Sequence, residues 1–338
     1  MRTYDVRAWV VWLITGALLA IFTRNPFYLV ILLTISRIVM AACASPEATK
    51  WRLPFWRLAG VILLFSTLFN WLIAHLGQTV IFTLPANWPL VGGPLTLEAA
   101  AYGFLSGLSL VVLLAIFMTF NAVVPVHQLT RLVPGALHEM GIVMLVAVTY
   151  VPETTRQFQR IREAQAIRGH RLRTLRDWRP IVIPLLISGL ERAMNLAETM
   201  VARGYGSTVQ VRLSNKTRLL LVAGSLLFLV GSLRVAWQAT DGWVMLFMGA
   251  VSIGLVYRFS SRENARTNYR PLTWSWADSI VILFAIGTLV LLIGSVTVIE
   301  RSVLAYSPYP RLLLPAFEWW VGMSLLGLLM PALLVLVP

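Results

Sequence analysis

The sequence predicts an all-α, polytopic helical membrane protein with two long cytoplasmic helices. Three observations carry this. Hydrophobic residues make up 58% of the chain and charged residues only 12%, against ~25% charged in an average soluble domain. The apolar residues fall in runs close to the ~20 residues that a helix needs to cross a hydrocarbon layer. The basic residues gather between those runs, as they do in cytoplasmic loops. The single cysteine, Cys43, cannot form an internal disulfide, so packing must hold the fold.

Taken in order, the candidate spans are 8–22, 27–43, 58–75, 99–124, 219–236, 243–258, 276–297 and 312–337. The first lacks a small-residue cleavage site and is soon followed by a second, so it reads as a retained helix and not as a removed leader. The loop with Lys50, Arg52 and Arg57 reads as cytoplasmic, as does the one with Arg258, Arg262, Arg266 and Arg270. By contrast, "LPANWPLVGGP" (Leu84 to Pro94) has the uncharged turn chemistry of an outer loop. Trp51, Trp56, Trp88, Trp274 and Trp276 stand near span ends, where indole rings favour the headgroup layer.

A shorter apolar run, Gly141 to Val151, is marginal in length. Four spans before it return the chain to its starting side. With the N-terminus inside, this run cannot cross without carrying a basic stretch outward. Either it is a buried or partly inserted helix, or one of the first two spans is re-entrant.

That basic stretch, 153–218, holds 13 of the 28 basic residues and five acidic ones, whereas 58–130 has no Lys or Arg. It divides the chain into N-terminal transmembrane helices (1–152), a cytoplasmic two-helix module (153–218) and C-terminal transmembrane helices (219–338). All but two of the basic residues are arginine, whose planar fork of donors suits carboxylates and phosphates. The module reads as two long helices at the membrane surface. The first begins near Pro152, with Glu153 at its positive end, and repeats apolar Phe158, Ile161 and Ala164. Gly169 offers a C-terminal cap, and Leu172, Leu175 and Trp178 resume a helical stripe until Pro180. The second starts near Pro184, carries Leu186, Leu190, Ala193, Met194, Ala197, Met200 and Val201 at helical spacing, and stops at Gly204.

Both helices end alike, in "AIRGH" (Ala166 to His170) and "MVARGYG" (Met200 to Gly206). A cation followed by glycine is ordinary punctuation at a helix C-terminus: the cation gains ~0.3–1 kcal/mol from the dipole and glycine takes positive φ without steric cost. Two such endings in one arginine-rich module support a further reading. Each has a small residue before the arginine (Ala166, Ala202) and presents a guanidinium fork with no bulky neighbour. Such a fork fits a groove lined with carboxylates, where a charge-assisted bidentate pair is strong and specific.

On these residues the chain resembles the transmembrane T component of energy-coupling factor (ECF) transporters. "EAQAIRGHR" (Glu163 to Arg171) and "ETMVARGYG" (Glu198 to Gly206) carry the likeness, supported by "TRNPFYL" (Thr23 to Leu29), "PLTLEAAAYG" (Pro94 to Gly103) and "YVPETTRQFQRIREAQ" (Tyr150 to Gln165), over roughly residues 10–235. The resemblance implies the membrane scaffold of an ABC-type importer and makes 153–218 its coupling-helix module, whose two coupling helices dock arginines into two cytoplasmic ATPase subunits. Ala166, Arg168 and Gly169, with Ala202, Arg203 and Gly204, take the docking roles. The first copy departs from strict Ala-Arg-Gly, because Ile167 intervenes. Expected partners are the two ATPases, a small substrate-binding membrane subunit and the lipid bilayer of the cell membrane. No nucleic acid, cofactor or catalytic residue is expected. Vitamins and cobalt or nickel ions are the usual cargo. The sequence has no G-x-x-x-x-G-K-[ST] phosphate loop, so ATP hydrolysis falls to the partners.

Other candidates are weaker. His75, His127, His138 and His170 show no i, i+3 or i, i+4 pair for a metal, and His170 reads as part of the exposed tip. Glu98, with Asn70 and His75 near span ends, is either a proton-relay or substrate site or, beside Thr96, a helix-start residue. Arg37 and Arg234 lie within apolar spans and read as snorkelling to the headgroups. "YGFLSGLS" (Tyr102 to Ser109) sets Gly103, Ser106 and Gly107 on a close-packing face, suited to a helix of this chain or of a partner. A stand-alone secondary transporter or channel would want ionisable residues deep in the spans, and they are sparse. A lipid-phosphate enzyme would want a nucleophile or a carboxylate and histidine set, which is not found. A passive anchor gripping anionic lipid would use the same arginines without regard to position.

Overall fold

A computed structural model describes residues 4–44, 54–85, 92–129, 132, 138–170, 175–204, 215–237, 241–263, 274–298, 304 and 306–336. Lys50, Trp51, Arg52, Trp88, Leu172, Arg266 and Arg270 lie outside them. The elements in order are α1 (Val6–Phe22), α2 (Pro26–Cys43), α3 (Phe55–Ile73), β1 (Val80–Thr83), β2 (Pro94–Thr96), α4 (Leu97–Val123), α5 (Val126–Leu129), α6 (His138–Ile167), α7 (Arg179–Ala202), α8 (Asn215–Ala236), α9 (Gly242–Glu263), α10 (Trp276–Val298), α11 (Trp319–Leu325) and α12 (Met330–Leu336). Single 3-10 turns precede α7 (Leu175–Trp178) and α12 (Leu326–Leu329). The protein is all-α and polytopic, with one small antiparallel pair among the described residues, in which Val80 stands opposite Thr96 and Thr83 opposite Pro94. Among the described residues, five helices are long and apolar enough to cross a membrane: α2, α3, α4, α7 and residues 217–235 of α8.

The chain forms two compact units, Met1–Leu129 with Arg270–Pro338 and Thr130–Tyr269, a grouping that differs from the expected division at 152 and 218. In the first unit α1 starts on Asp5, whose carboxylate accepts from the Arg7 N–H, α2 starts on Asn25 followed by Pro26, and α4 starts on Thr96, whose hydroxyl accepts from the Ala99 N–H. These are the oxygen caps that satisfy free N–H groups at helix starts. Small residues then bring α3 and α4 together. A Cβ built on Gly103 would stand 2.7 Å from the Ser66 carbonyl and 2.8 Å from the Asn70 Cβ, so the close-packing face predicted at Tyr102 to Ser109 meets a helix of this same chain.

The C-terminal elements complete this unit by covering α1 and α2. The Trp12 indole donates to the Leu328 carbonyl at 2.9 Å, the Tyr4 hydroxyl to the Pro331 carbonyl at 2.9 Å, and the Asp5 N–H to the Asp278 carboxylate at 2.8 Å. Within lipid such interhelical bonds contribute ~0.6 kcal/mol each on average, alongside close packing. The span expected at 312–337 is corrected: 312–318 is not helical and only 319–336 is, broken at the 3-10 turn. Pro315 explains it, since it lacks an N–H and biases the preceding residue to extended backbone. This extended strap is tied down where it passes α2, by Asn25 Nδ2 donating to the Ala316 carbonyl at 2.7 Å and by the Glu318 N–H donating to the Tyr28 hydroxyl at 2.9 Å.

In the second unit α8 and α9 meet through glycines: a Cβ on Gly231 would stand 2.5 Å from the Leu246 nitrogen, and one on Gly249 the same distance from the Phe228 nitrogen. Two expectations about α6 and α7 are also corrected. α6 does not begin near Pro152; it runs unbroken from His138, with Pro152 inside and the marginal 141–151 run as its first half. α7 begins at Arg179, with Pro180 in its first turn and Pro184 inside. A proline inside a helix removes one backbone bond without always ending the helix. The carbonyl that Pro184 leaves without a donor, that of Pro180, accepts instead from Gln165 Nε2 on α6 at 3.5 Å.

Candidate functional site

The predicted tips are built the same way. At the end of α6 the Gly169 N–H reaches back to the Ala166 carbonyl and the His170 N–H to the Gln165 carbonyl, both at 2.9 Å, while Gly169 holds φ +81°. That pair of bonds closes a helix through a left-handed residue. At the end of α7 the Gly204 N–H reaches the Val201 carbonyl at 2.9 Å, with Gly204 at φ +78°. A residue with a Cβ would pay roughly 1–2 kcal/mol for the same conformation. Arg168 and Arg203 therefore occupy equivalent positions, each the last half-helical residue before its glycine.

Both tips are open. Ala166, Arg168, Gly169, Ala202, Arg203 and Gly204 are all exposed. Among the described residues neither guanidinium has an ion-pair partner, the two ion pairs being Glu153 with Arg156 and Glu153 with Arg192. The acidic residues nearest in sequence, Glu163 and Glu198, each precede their arginine by five positions, which places them roughly 140° around the helix. They cannot neutralise the tips, and each fork keeps its donors at the negative end of a helix dipole.

The tips stand at opposite ends of α7. The end of α6 lies beside the start of α7, through Gln165 with Pro180 and through Phe158 stacked on Trp178 with ring centroids 6.2 Å apart. Arg203 follows the far end of the same 24-residue helix, about 36 Å away along its axis at 1.5 Å per residue. One expectation fails: the forks do have bulky neighbours. Ile167 is 88% exposed and Val201 72%, so each tip pairs a guanidinium with a bare aliphatic side chain. A large apolar residue one or two positions before Arg-Gly at a helix end was the signal in the sequence. His170 is corrected too, since its Nε2 stands 2.7 Å from the Asp177 carbonyl. A carbonyl can only accept, so that nitrogen carries the proton and the ring closes the link between α6 and α7 instead of extending the tip.

The remaining candidates resolve into structural roles. Glu98 is fully buried and accepts from the Thr79 hydroxyl at 2.7 Å and the Thr79 N–H at 3.0 Å, fastening the strand pair to the start of α4. Asn70 sits against Gly103, and the His75 ring lies 3.1 Å from where a Cβ on Gly93 would stand. Arg37 does not simply reach for headgroups. Its guanidinium carbon lies 4.7 Å from the Phe55 ring centre and 5.8 Å from that of Trp56, a cation held over aromatic faces. Arg234 is exposed. The side chains of His127 and His138 lie outside the described residues, among which no group of three His, Cys, Asp or Glu is placed to hold a metal.

A multi-pass helical membrane protein in which two adjacent long helices, α6 and α7, end in matching cationic tips is the class that fold and site define. A family model described as cobalt transport protein (CbiQ) matches residues 1–213, a stretch that includes both tips, and the chain belongs to that family. It is also similar to proteins named energy-coupling factor transporter transmembrane protein EcfT. The one from Lactococcus lactis is 28% identical over 162 residues, covering 43% of this chain and 58% of that protein. That from Exiguobacterium sibiricum is 33% identical over 127 residues, covering 36% and 41%. That from Thermotoga maritima is 39% identical over 74 residues, covering 20% and 27%. The matches thus span between about a quarter and three fifths of the length of these relatives.

Proposed function

We propose that this chain is the membrane scaffold of an ATP-driven importer of the energy-coupling factor kind. Two cytoplasmic ATPase subunits each receive one arginine tip, Arg168 or Arg203. A separate small membrane subunit holds the substrate, of the vitamin or transition-metal-ion class. α6 and α7 lie along the cytoplasmic surface of the cell membrane. α7 is long and apolar enough to cross it, but Arg179, Glu191, Arg192 and Glu198 are spread along its length, and charges at the centre of a bilayer are costly. Closure of the ATPases on nucleotide draws the tips together, and the stiff helices pass that displacement to the substrate-binding subunit.

The observation that carries this reading is the pair of exposed Arg-Gly tips, whose guanidiniums have no ion-pair partner among the described residues and which are set about a helix length apart. That spacing suits two separate protein sockets better than one. The experiment is to replace Arg168 and Arg203 with alanine, singly and together, in the full chain in its native host. Each single variant is expected to weaken co-purification of ATPase subunits, and the double variant to abolish both co-purification and vitamin, cobalt or nickel uptake. Unchanged assembly and uptake in the double variant overturns the reading.

A further inference from the structure

β1 is a strand with no sheltered face. Successive side chains of a strand point to opposite sides, so a strand packed on a core buries every second one. In β1 all four are exposed, and three of them are large and apolar: Val80 at 49%, Ile81 at 56% and Phe82 at 60%. β2 pairs with it on one side, and among the described residues no strand lies on the other. In water a bare apolar strand with an open edge invites aggregation. Hydrocarbon suits it no better, because an open sheet edge finds no hydrogen-bonding partner there. The layer that meets both demands is the membrane interface, apolar on one side and wet on the other.

The place of β1 in the fold agrees. The 19-residue α3 is about 28 Å long at 1.5 Å per residue, close to the ~30 Å of a hydrocarbon core. It follows the basic loop of Lys50 and Arg52, so by the charge rule its far end, Ile73, reaches the outer boundary. β1 is fixed at that level: the Thr79 hydroxyl donates to Glu98 in the first turn of α4 at 2.7 Å, and Val80 stands opposite Thr96, which caps α4. Exposed Phe69, Ile73 and Leu76 lead from α3 to β1.

The same end carries two exposed arginines, Arg24 between α1 and α2 and Arg311 just before the strap, although outer loops are usually poor in arginine. Each is held by a neutral partner. Arg24 Nη1 donates to the Tyr102 hydroxyl at 3.1 Å, and Arg311 Nε donates to Oε1 of Gln78, two residues before β1. Tyr102 in turn packs on Tyr309, with ring centroids 5.6 Å apart, which joins the two arginines in one cluster. Among the described residues neither has an ion-pair partner. A guanidinium fork matches phosphate oxygens, and the phosphates of lipid headgroups stand immediately outside the layer that suits β1.

We propose that this outer end is a phospholipid-binding surface, in which β1 lies at the boundary of headgroups and acyl chains with Val80, Ile81 and Phe82 against lipid, and Arg24 and Arg311 engage headgroup phosphates. The first unit is thus held by the membrane at a second level, beyond its spans. The surface belongs to that unit alone and is independent of ATPase docking.

The test uses the full chain in phospholipid nanodiscs. A fluorophore is attached at Ile81→Cys in a Cys43→Ser background and quenched in turn by iodide in the water, by lipids with a nitroxide at the top of the acyl chain, and by lipids with a nitroxide near the chain end. Quenching is expected to be strongest from the chain top, whereas the same label at Leu64→Cys, exposed midway along α3, is quenched most from the chain end. At Ile81, strongest quenching by iodide or from the chain end, or shielding from all three, overturns the placement. The arginines are tested by melting temperature in mild detergent. Added phosphatidylglycerol is expected to raise that of the parent, Arg24→Gln with Arg311→Gln to lose most of the rise, and inorganic phosphate to give none. No rise in the parent, an equal rise in the double variant, or an equal rise with inorganic phosphate alone overturns the headgroup assignment. Should the double variant fail to fold, Arg311→Gln alone decides, with part of the rise expected to be lost and an undiminished rise counting against the proposal.

Discussion

The two units differ in how much of their apolar surface they bury within themselves. The first builds a core in which Trp12, Tyr28, Leu32, Val39, Val111, Ile116 and Leu328 are buried and buried Glu98, Asp278 and Asn25 each have partners, while Val61, Leu64, Phe65 and Phe69 of α3 are exposed. In the second, only Ile181 and Val256 are buried among the described apolar side chains, while Val182, Ile183, Leu186, Ile187, Leu190 and Met194 of α7 are exposed. A unit with such a core is held in part by its own packing. A unit that leaves one face bare depends on lipid or protein to cover it, and marks where interaction takes place.

The largest expected effect comes from breaking the core of the first unit. Deleting residues 274–338 strands the donors of Trp12, Tyr4, Asn25 and Asp5, which are paired with that segment. Each buried orphan costs about 1–3 kcal/mol, together comparable with the ~5–15 kcal/mol that holds a whole domain. No monodisperse protein is expected on size exclusion in mild detergent. Next comes Gly103→Leu, which forces α3 from α4 at about 1–3 kcal/mol and lowers the melting temperature by several degrees. Smaller and confined to the second unit is Gly169→Ala or Gly204→Ala, which strains a left-handed residue by roughly 1–2 kcal/mol. Hydrogen exchange is expected to quicken at the ends of α6 and α7 and to stay unchanged in α1–α4. The smallest effect is that of Leu186→Ala or Arg168→Ala on stability, within about 0.5 kcal/mol. A large loss from Leu186→Ala would show that the chain itself covers this face, and the contrast between the units would fail.

Much of the fold was legible because its signals are local. Seven of the eight expected spans coincide with single helices, allowing for a few residues at their ends. The cap at Thr96 and the two glycine stops also follow from neighbouring residues alone. The misreadings share a cause. Pro152 and Pro184 look like helix starts, yet helical residues precede each of them, and Gln165 supplies the bond that Pro184 takes from Pro180. At 312–318 the apolar content is that of a span, but a helix must satisfy its backbone bonds, and Pro315 cannot. Arg37 and His170 were read by residue type, whereas the Phe55 ring and the Asp177 carbonyl that engage them come from other elements.

By itself, the sequence determined that this is a helical membrane protein with two matching arginine-tipped helices, because periodicity, charge placement and helix caps act over a few residues. Tertiary structure alone decided that the C-terminal elements complete the N-terminal bundle, and that α6 and α7 lie side by side with their tips at opposite ends. Those facts rest on contacts such as Trp12 with Leu328 and Glu153 with Arg192, between residues far apart in the chain, which no local pattern specifies.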